Sequence, residues 1–254
     1  MILRTRGPLR IAEVWLDEPY DGLKADFASF HCRSAPIDGQ RCKEKLAIVL
    51  DLSKPEETLL AAMTRTTRHQ IHRTARAGLR VSRLEQPDGA AISRFCEFYG
   101  EFARQKGLNA KVGDGLRSFA SAGRLILSEI PDESGRTLVW HSYIHCCGRA
   151  RLLQTASLFR ECCDSASRNL VGRCNRYLHW EDIVYFKARG FRVYDFGGWY
   201  GGGKDEERLR INGFKEEFGG EIVRNFDLEM ALTPLGRTAL LLRRLRGRLQ
   251  RRPD

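Results

Sequence analysis

The 254-residue chain has no run of 18 consecutive apolar residues, so no segment is long enough to cross a bilayer as a helix. Its first 15 residues are basic but hold no apolar core ending at small residues, and no signal peptide is expected. There is no C-x-x-C pair to indicate a zinc ribbon or a redox motif, and no Gly-x-Ser-x-Gly elbow for a nucleophilic serine. The eight cysteines, with adjacent pairs at Cys146–Cys147 and Cys162–Cys163, are therefore expected to be reduced thiols of a cytoplasmic protein. Internal repeats are absent, and the one biased stretch is an Arg/Leu tail. Acidic residues are missing from two segments. Thr58–Leu84 carries six arginines and Leu235–Pro253 carries seven, which together exceed the net charge of +11 and leave the rest of the chain close to neutral.

What is present reads as a mixed α/β protein. Residues 1–45 are expected to be irregular apart from a strand at Leu9–Trp15. The apolar run Leu46–Leu50 predicts a buried strand, and Asp51, Ser53 and Pro55 then supply start signals for a helix reaching Ala77 and stopping at Gly78. A strand at Leu79–Leu84 and a helix at Ala90–Lys106 follow. Three strands are predicted at Arg124–Ile130, Thr137–Cys147 and Arg149–Phe159. A long helix over Asn169–Arg189 leads to a strand at Arg192–Phe196, a helix near Glu206–Phe218 and a strand at Glu221–Asn225. The order combines a meander with crossover helices and predicts a sheet of mixed direction.

The densest feature is Tyr194-Asp-Phe-Gly-Gly-Trp-Tyr-Gly-Gly-Gly-Lys204, where five of the seven residues 197–203 are glycine. Gly198-x-x-x-x-Gly203-Lys204 approaches a phosphate-binding P-loop, but Asp205 stands where that motif needs Ser or Thr for magnesium. A loop closing on a substrate is the favoured reading, with Gly197, Gly198, Trp199 and Tyr200 as its candidate residues. His141, His145 and Cys147 share a strand face but are too widely spaced for one metal ion, since positions four apart in a strand are ~13 Å apart. No metal site is expected.

Asp195-Phe-Gly-Gly198, Gly213-Phe-Lys215 and Phe218-Gly219, together with Leu46–Ser53, Thr67–Val81 and Tyr177–Gly190, resemble in order and register the second domain of Fem-type peptidyltransferases, within the GNAT acyltransferase superfamily. The resemblance covers residues 45–226. It implies a GNAT fold, a splayed mixed sheet flanked by helices, organised as an N-terminal extension (1–45) in place of a full first domain, a catalytic domain (46–230) and a basic tail helix (231–254). It also implies attack of an amine or hydroxyl on an activated acyl carbonyl, with Lys215 stabilising the oxyanion, Phe214 keeping the site dry, and Asp195 either orienting the acceptor or capping the glycine turn.

In the superfamily the donor's phosphates sit at the start of the central helix, which the resemblance places at Asn169-Leu-Val-Gly172-Arg173-Cys174. Arg or Gln is usual where this chain has Asn169, and Gly or Ala where it has Cys174. Arg168 and Arg173 either pair with phosphate or are solvated. The resemblance implies acyl-CoA as a co-substrate rather than a tightly bound cofactor, with aminoacyl-tRNA as the alternative donor. The short N-terminal segment favours a cell-envelope saccharide or lipid-linked acceptor over the peptidoglycan peptide.

Arg65, Arg68, His72 and Arg76 recur at helical spacing and form one cationic face, either solvated or facing donor phosphates, a nucleotide-sugar acceptor or tRNA, with Arg68 the candidate acceptor residue. In the tail, Leu235, Leu241, Leu242, Leu245 and Leu249 lie on one side, with most of the arginines from Arg237 to Arg252 opposite. That pattern suits contact with an anionic inner-membrane surface or folding back onto the core. A non-catalytic basic module that binds RNA or membrane is the competing class.

Overall fold

The computed structural model of the protein describes residues 1–160 and 164–249, with backbone alone at 160 and 244–249. Cys162–Cys163 and Arg251–Arg252 lie outside the described residues, as do the side chains of Arg244, Arg246 and Arg248. The chain forms two compact units, Met1–Leu46 together with the chain from Arg224 onward, and Ala47–Val223.

The first unit contains three strands where sequence patterning predicts one: β1 (Ile2–Arg6), β2 (Leu9–Trp15) and β3 (Phe27–Arg33). β1 hides from pattern reading because it is an exposed edge, with only Ile2 buried. β3 hides because four successive residues, Phe27–Phe30, are buried and no alternation results. β1 and β2 are antiparallel, β2 and β3 parallel.

The second unit is a sheet of mixed direction. β4 (Cys42–Asp51) leads into it and pairs antiparallel with β9 (Val193–Gly198). β9 runs parallel to β8 (Arg149–Ser157), which continues antiparallel through β7 (Thr137–Cys146), β6 (Leu125–Pro131) and β5 (Ser82–Leu84). β7 is central and buried along most of its length, and its two faces carry the two helical layers. Trp140 packs edge-on against Phe95 of α3 (Gly89–Gln105) at 5.5 Å, while Tyr143, of opposite parity, packs against Phe186 of α5 (Ser165–Ala188) at 5.0 Å. α4 (Gly113–Ser121) goes unsignalled in the sequence: its first turn has two glycines and no side-chain cap, and burial of Leu116 and Phe119 holds it.

The first helix is broken. α1 (Glu56–Ala62) stops at Met63, and Thr64 restarts the chain as α2 (Arg65–Arg76) by accepting the Thr67 N–H on its hydroxyl. Arg68 bridges the break, its Nη1 donating to the carbonyls of Ala61 (2.8 Å) and Met63 (2.5 Å). α6 (Glu206–Glu216) begins where Asp205 caps the Arg208 N–H, so the aspartate that spoils a P-loop acts here as a helix cap.

The last strand, β10 (Glu221–Ala231), runs six residues past its expected end and pairs antiparallel with β3, in the order β1-β2-β3-β10. α7 (Pro234–Leu249) follows, and its first turns are packed on the first unit. The Thr233 hydroxyl donates to Asp26, Gly236 lies directly against the Asp26 carbonyl, and Leu240 is buried. Leu235, Leu241 and Leu242 are exposed, so the contacts at the start of α7 are made by Gly236 and Leu240 and not by these leucines.

Candidate functional site

β8 and β9 pair for three rungs, and their ladder ends at Arg151↔Asp195. Past that rung lies a cavity of about 590 Å³, bounded by Leu152–Ser157 of β8, Phe196 of β9, the end of α3, the middle of α5 and the inner side of α6. The parting of two parallel strands is what makes room for it.

The fork is held by charge. Asp195 is fully buried, and its Oδ2 accepts from Arg149 Nε (3.0 Å) and Nη2 (2.5 Å) and from Arg151 Nη1 (2.6 Å). Its Oδ1 accepts the Gly197 N–H at 2.7 Å. Burial pushes this carboxyl up, but Arg151, Arg149 and the Gly197 amide together outweigh it and hold it below the ordinary aspartate range. With both oxygens engaged, Asp195 holds the fork and the glycine turn and offers no free carboxylate to an acceptor. Gly197 has φ of +83° and faces the Leu152 carbonyl, so a side chain there would meet both backbone strain and a close contact.

Lys215 and Phe214 of α6 line the cavity. The Lys215 ammonium donates to the Gly198 carbonyl at 2.5 Å, which places the cation beside the glycine turn. Burial, reinforced by the neighbouring Arg151 charge and opposed by Asp195, pushes its pKa down to about 8. Phe214 lies under the Arg176 guanidinium, 5.0 Å from its ring centroid, and Arg176 is fixed by Glu217 at 2.7 Å.

Behind Lys215, the glycine loop is clamped by a residue that sequence patterning does not single out. Asn212 is buried, accepts the Tyr200 N–H (2.9 Å) and donates to the Tyr200 carbonyl (2.8 Å). Trp199 Nε1 donates to Glu216 at 2.8 Å. Trp199 and Tyr200 thus tie the loop to α6, and neither lines the cavity.

The segment Asn169–Cys174 is not the start of the central helix. α5 begins four residues earlier, at Ser165, with Asp164 accepting the Ser167 N–H at 2.8 Å. The Arg168 N–H already donates to the Asp164 carbonyl at 3.2 Å, and those of residues 169–174 are engaged within the helix. Gly172 does line the cavity, in a stripe with Asn175, Arg176 and His179. Cys174 falls on a different face, fully buried with Val171 and Leu178, and burial raises its thiol pKa to about 11. Arg168 and Asn169 are exposed at the helix start, and Arg173 lies off the cavity stripe.

Two further residues emerge only in three dimensions. His179 and Asp182, three apart on α5, are buried polar groups within an otherwise apolar helix face, and that interruption is the one signal the sequence holds for them. His141 is packed among Asp182, Tyr143 and Asn175, and no group of His, Cys, Asp or Glu suited to a metal ion occurs among the described residues.

No protein-family model matches the sequence, and no curated protein matches it. Solved structures do. FemX superposes with a TM-score of 0.60 at 14% identity, covering 80% of this chain and 72% of that one. The fold of FemX is therefore the fold of this chain. The same fold relates it to the C-terminal domain of a putative lysylphosphatidylglycerol synthetase from Agrobacterium fabrum, at a TM-score of 0.56 and 14% identity over 94% of this chain and 82% of that one. L-PGS from Bacillus licheniformis superposes at 0.51 and 14% identity over 87% and 73%. Phe196, Phe214 and Lys215 border one cavity, and the Lys215 ammonium ties it to the glycine turn through the Gly198 carbonyl. No helix among the described residues is long and apolar enough to cross a membrane.

Proposed function

We propose that the protein is an acyltransferase that moves an acyl group from an activated donor to an amine or hydroxyl. The observation that carries this reading is the Lys215 cation, fixed beside the glycine turn at the edge of an apolar cavity opened by two diverging strands. An acyl chain laid along β8 beyond Arg151 would bring its carbonyl toward Lys215. As the acceptor attacks, charge develops on the carbonyl oxygen, and a fixed cation out of bulk water stabilises it by ~3–4 kcal/mol. Phe214 and Phe196 limit the water that would otherwise hydrolyse the donor.

The preferred donor is an acyl-CoA. Arg168, exposed near the start of α5, offers its phosphates a guanidinium, and Arg176 and Arg210 stand at the cavity. The preferred acceptor is a saccharide or lipid-linked envelope precursor. A second donor, aminoacyl-tRNA, is favoured by the exposed cationic face of α2 at Arg65, His72 and Arg76, next to the half-buried Arg68. The exposed Leu241 and Leu242 beside arginines support peripheral contact with an anionic membrane at the cytoplasmic face.

The deciding experiment is a thermal shift of the full chain with acetyl-CoA, longer acyl-CoAs, free CoA and aminoacyl-tRNA, followed by transfer assays with whichever donor binds. A stabilising thioester supports the first donor and a stabilising aminoacyl-tRNA the second. RNA binding with a steep salt slope, without any acyl donor effect, would favour the non-catalytic module.

A further inference from the structure

His179 is almost wholly buried, yet its ring borders the cavity that Lys215 and Phe214 also line. Its Nδ1 is 2.7 Å from the Tyr194 hydroxyl, which is 2.7 Å from the Tyr143 hydroxyl. Tyr143 donates to Asp182 Oδ2 at 2.8 Å. Asp182 also accepts from Ser128 of β6 (2.8 Å) and from Arg83 of β5 (3.1 Å).

The directions of these bonds follow from what each group can do. A carboxylate oxygen only accepts, so the Tyr143 proton points to Asp182. Tyr143 oxygen then accepts from Tyr194, and Tyr194 oxygen accepts from His179 Nδ1–H. This assigns the Nδ1–H tautomer and leaves a bare lone pair on Nε2. That atom is buried and has no hydrogen-bond partner among the described residues.

We propose that His179 is the general base of the transfer, taking the proton of the attacking amine or hydroxyl on Nε2 while Tyr194, Tyr143 and Asp182 hold the ring and relay charge. This deepens the acyltransferase reading and rests on it. The acceptor heteroatom forms a bond to the acyl carbon as the carbonyl π pair moves onto oxygen, beside Lys215, and the acceptor's proton passes to Nε2. The Nδ1 proton can shift to Tyr194, that of Tyr194 to Tyr143 and that of Tyr143 to Asp182, so that no net charge is left on the imidazole. When the oxyanion collapses, the bond to the leaving group breaks, the protons return along the same series and the Nε2 proton goes to the leaving thiolate or alkoxide. The balance is acceptor–H plus acyl–X giving acyl–acceptor plus H–X.

The surroundings keep the base in its neutral form. Burial first, then the nearby His141, Lys215 and Arg176, push the His179 pKa well below that of a free imidazole. Tyr143 and Tyr194 are pushed well above the ordinary phenol range, burial being the largest cause, so each enters the relay as a protonated hydroxyl.

The test uses the full chain with 15N-labelled histidine. The NMR signature of His179 should be the Nδ1–H tautomer at pH 7, and Tyr194→Phe should release that preference; an Nε2–H tautomer in the wild type overturns the proposal. In transfer assays with the donor that binds, His179→Gln should lower kcat by roughly 100-fold or more with donor affinity unchanged. Imidazole should partly rescue His179→Ala, a response that a packing role would not produce. A His179→Gln rate within twofold of wild type overturns this proposal while leaving acyl transfer standing. A wild type that binds no donor and transfers nothing overturns both.

Discussion

Arg151 and Asp195 form the last rung between two parallel strands and, at 2.6 Å, the ion pair that closes it. Beyond them β8 and β9 diverge and the cavity begins, so the residues that end the ladder also set where the site starts. The same pair bears on Lys215, Arg151 lowering its pKa and Asp195 raising it.

Removing the carboxylate should therefore damage the fold as well as the site. Asp195→Asn removes the buried carboxylate on which Arg149 and Arg151 converge, and a loss of about 3–5 kcal/mol in urea denaturation is expected. The pH dependence has the matching sign. Because the folded-state pKa lies below the unfolded value, the stabilisation is complete at neutral pH and is lost only as pH falls through the lowered value, below the usual aspartate range. In Asp195→Asn that acid-dependent contribution should be missing.

Lys215 should impose an alkaline limit on transfer. With a pKa of about 8, the cation that stabilises the oxyanion is present below that pH and is lost above it, so kcat should fall as pH rises past about 8. Lys215→Ala should cost ~10²–10³ in kcat. Lys215→Arg, which stays charged, should move the alkaline limb upward. An unchanged limb in Lys215→Arg would assign the titration to another group.

Asn212→Ala should free the glycine loop. It deletes two hydrogen bonds to the Tyr200 backbone and leaves a buried amide and carbonyl without partners, a loss of about 1–3 kcal/mol. Limited proteolysis should then cut within residues 199–204, where the wild type resists.

The tail helix is expected to be sensitive at its first turn. A Cβ on Gly236 would lie 1.7 Å from the Asp26 carbonyl oxygen, so Gly236→Ala must displace α7 from the first unit and lower the thermal midpoint by an amount equivalent to about 1–3 kcal/mol. Leu241→Ser, at an exposed position of the same helix, should leave the midpoint unchanged and, if the tail touches membrane, weaken co-sedimentation with anionic vesicles.

Much of the second unit was legible because its signals are local. The apolar run Leu46–Leu50, the adjoining strands predicted at Thr137–Cys147 and Arg149–Phe159, and the order of Asp195-Phe-Gly-Gly198 and Gly213-Phe-Lys215 identify strands and motifs without knowledge of distant contacts. The helix break at Thr64 was not legible, since its cap competes with good helical periodicity on both sides and the Arg68 bridge is visible only in space. β1 and β3 escaped because one is nearly all exposed and the other nearly all buried, and neither alternates.

The sequence by itself determined the fold class, the absence of a long apolar span and the glycine-rich and Phe214-Lys215 motifs, all read from short windows of chain. Tertiary structure decided the chemistry of the site. It engaged both oxygens of Asp195, set Cys174 and Gly172 on different faces of α5, and joined His179, Tyr194, Tyr143 and Asp182 from one helix and two strands into one hydrogen-bonded series. Burial and partners fix protonation, and both depend on residues tens of positions apart that only folding brings within a hydrogen bond.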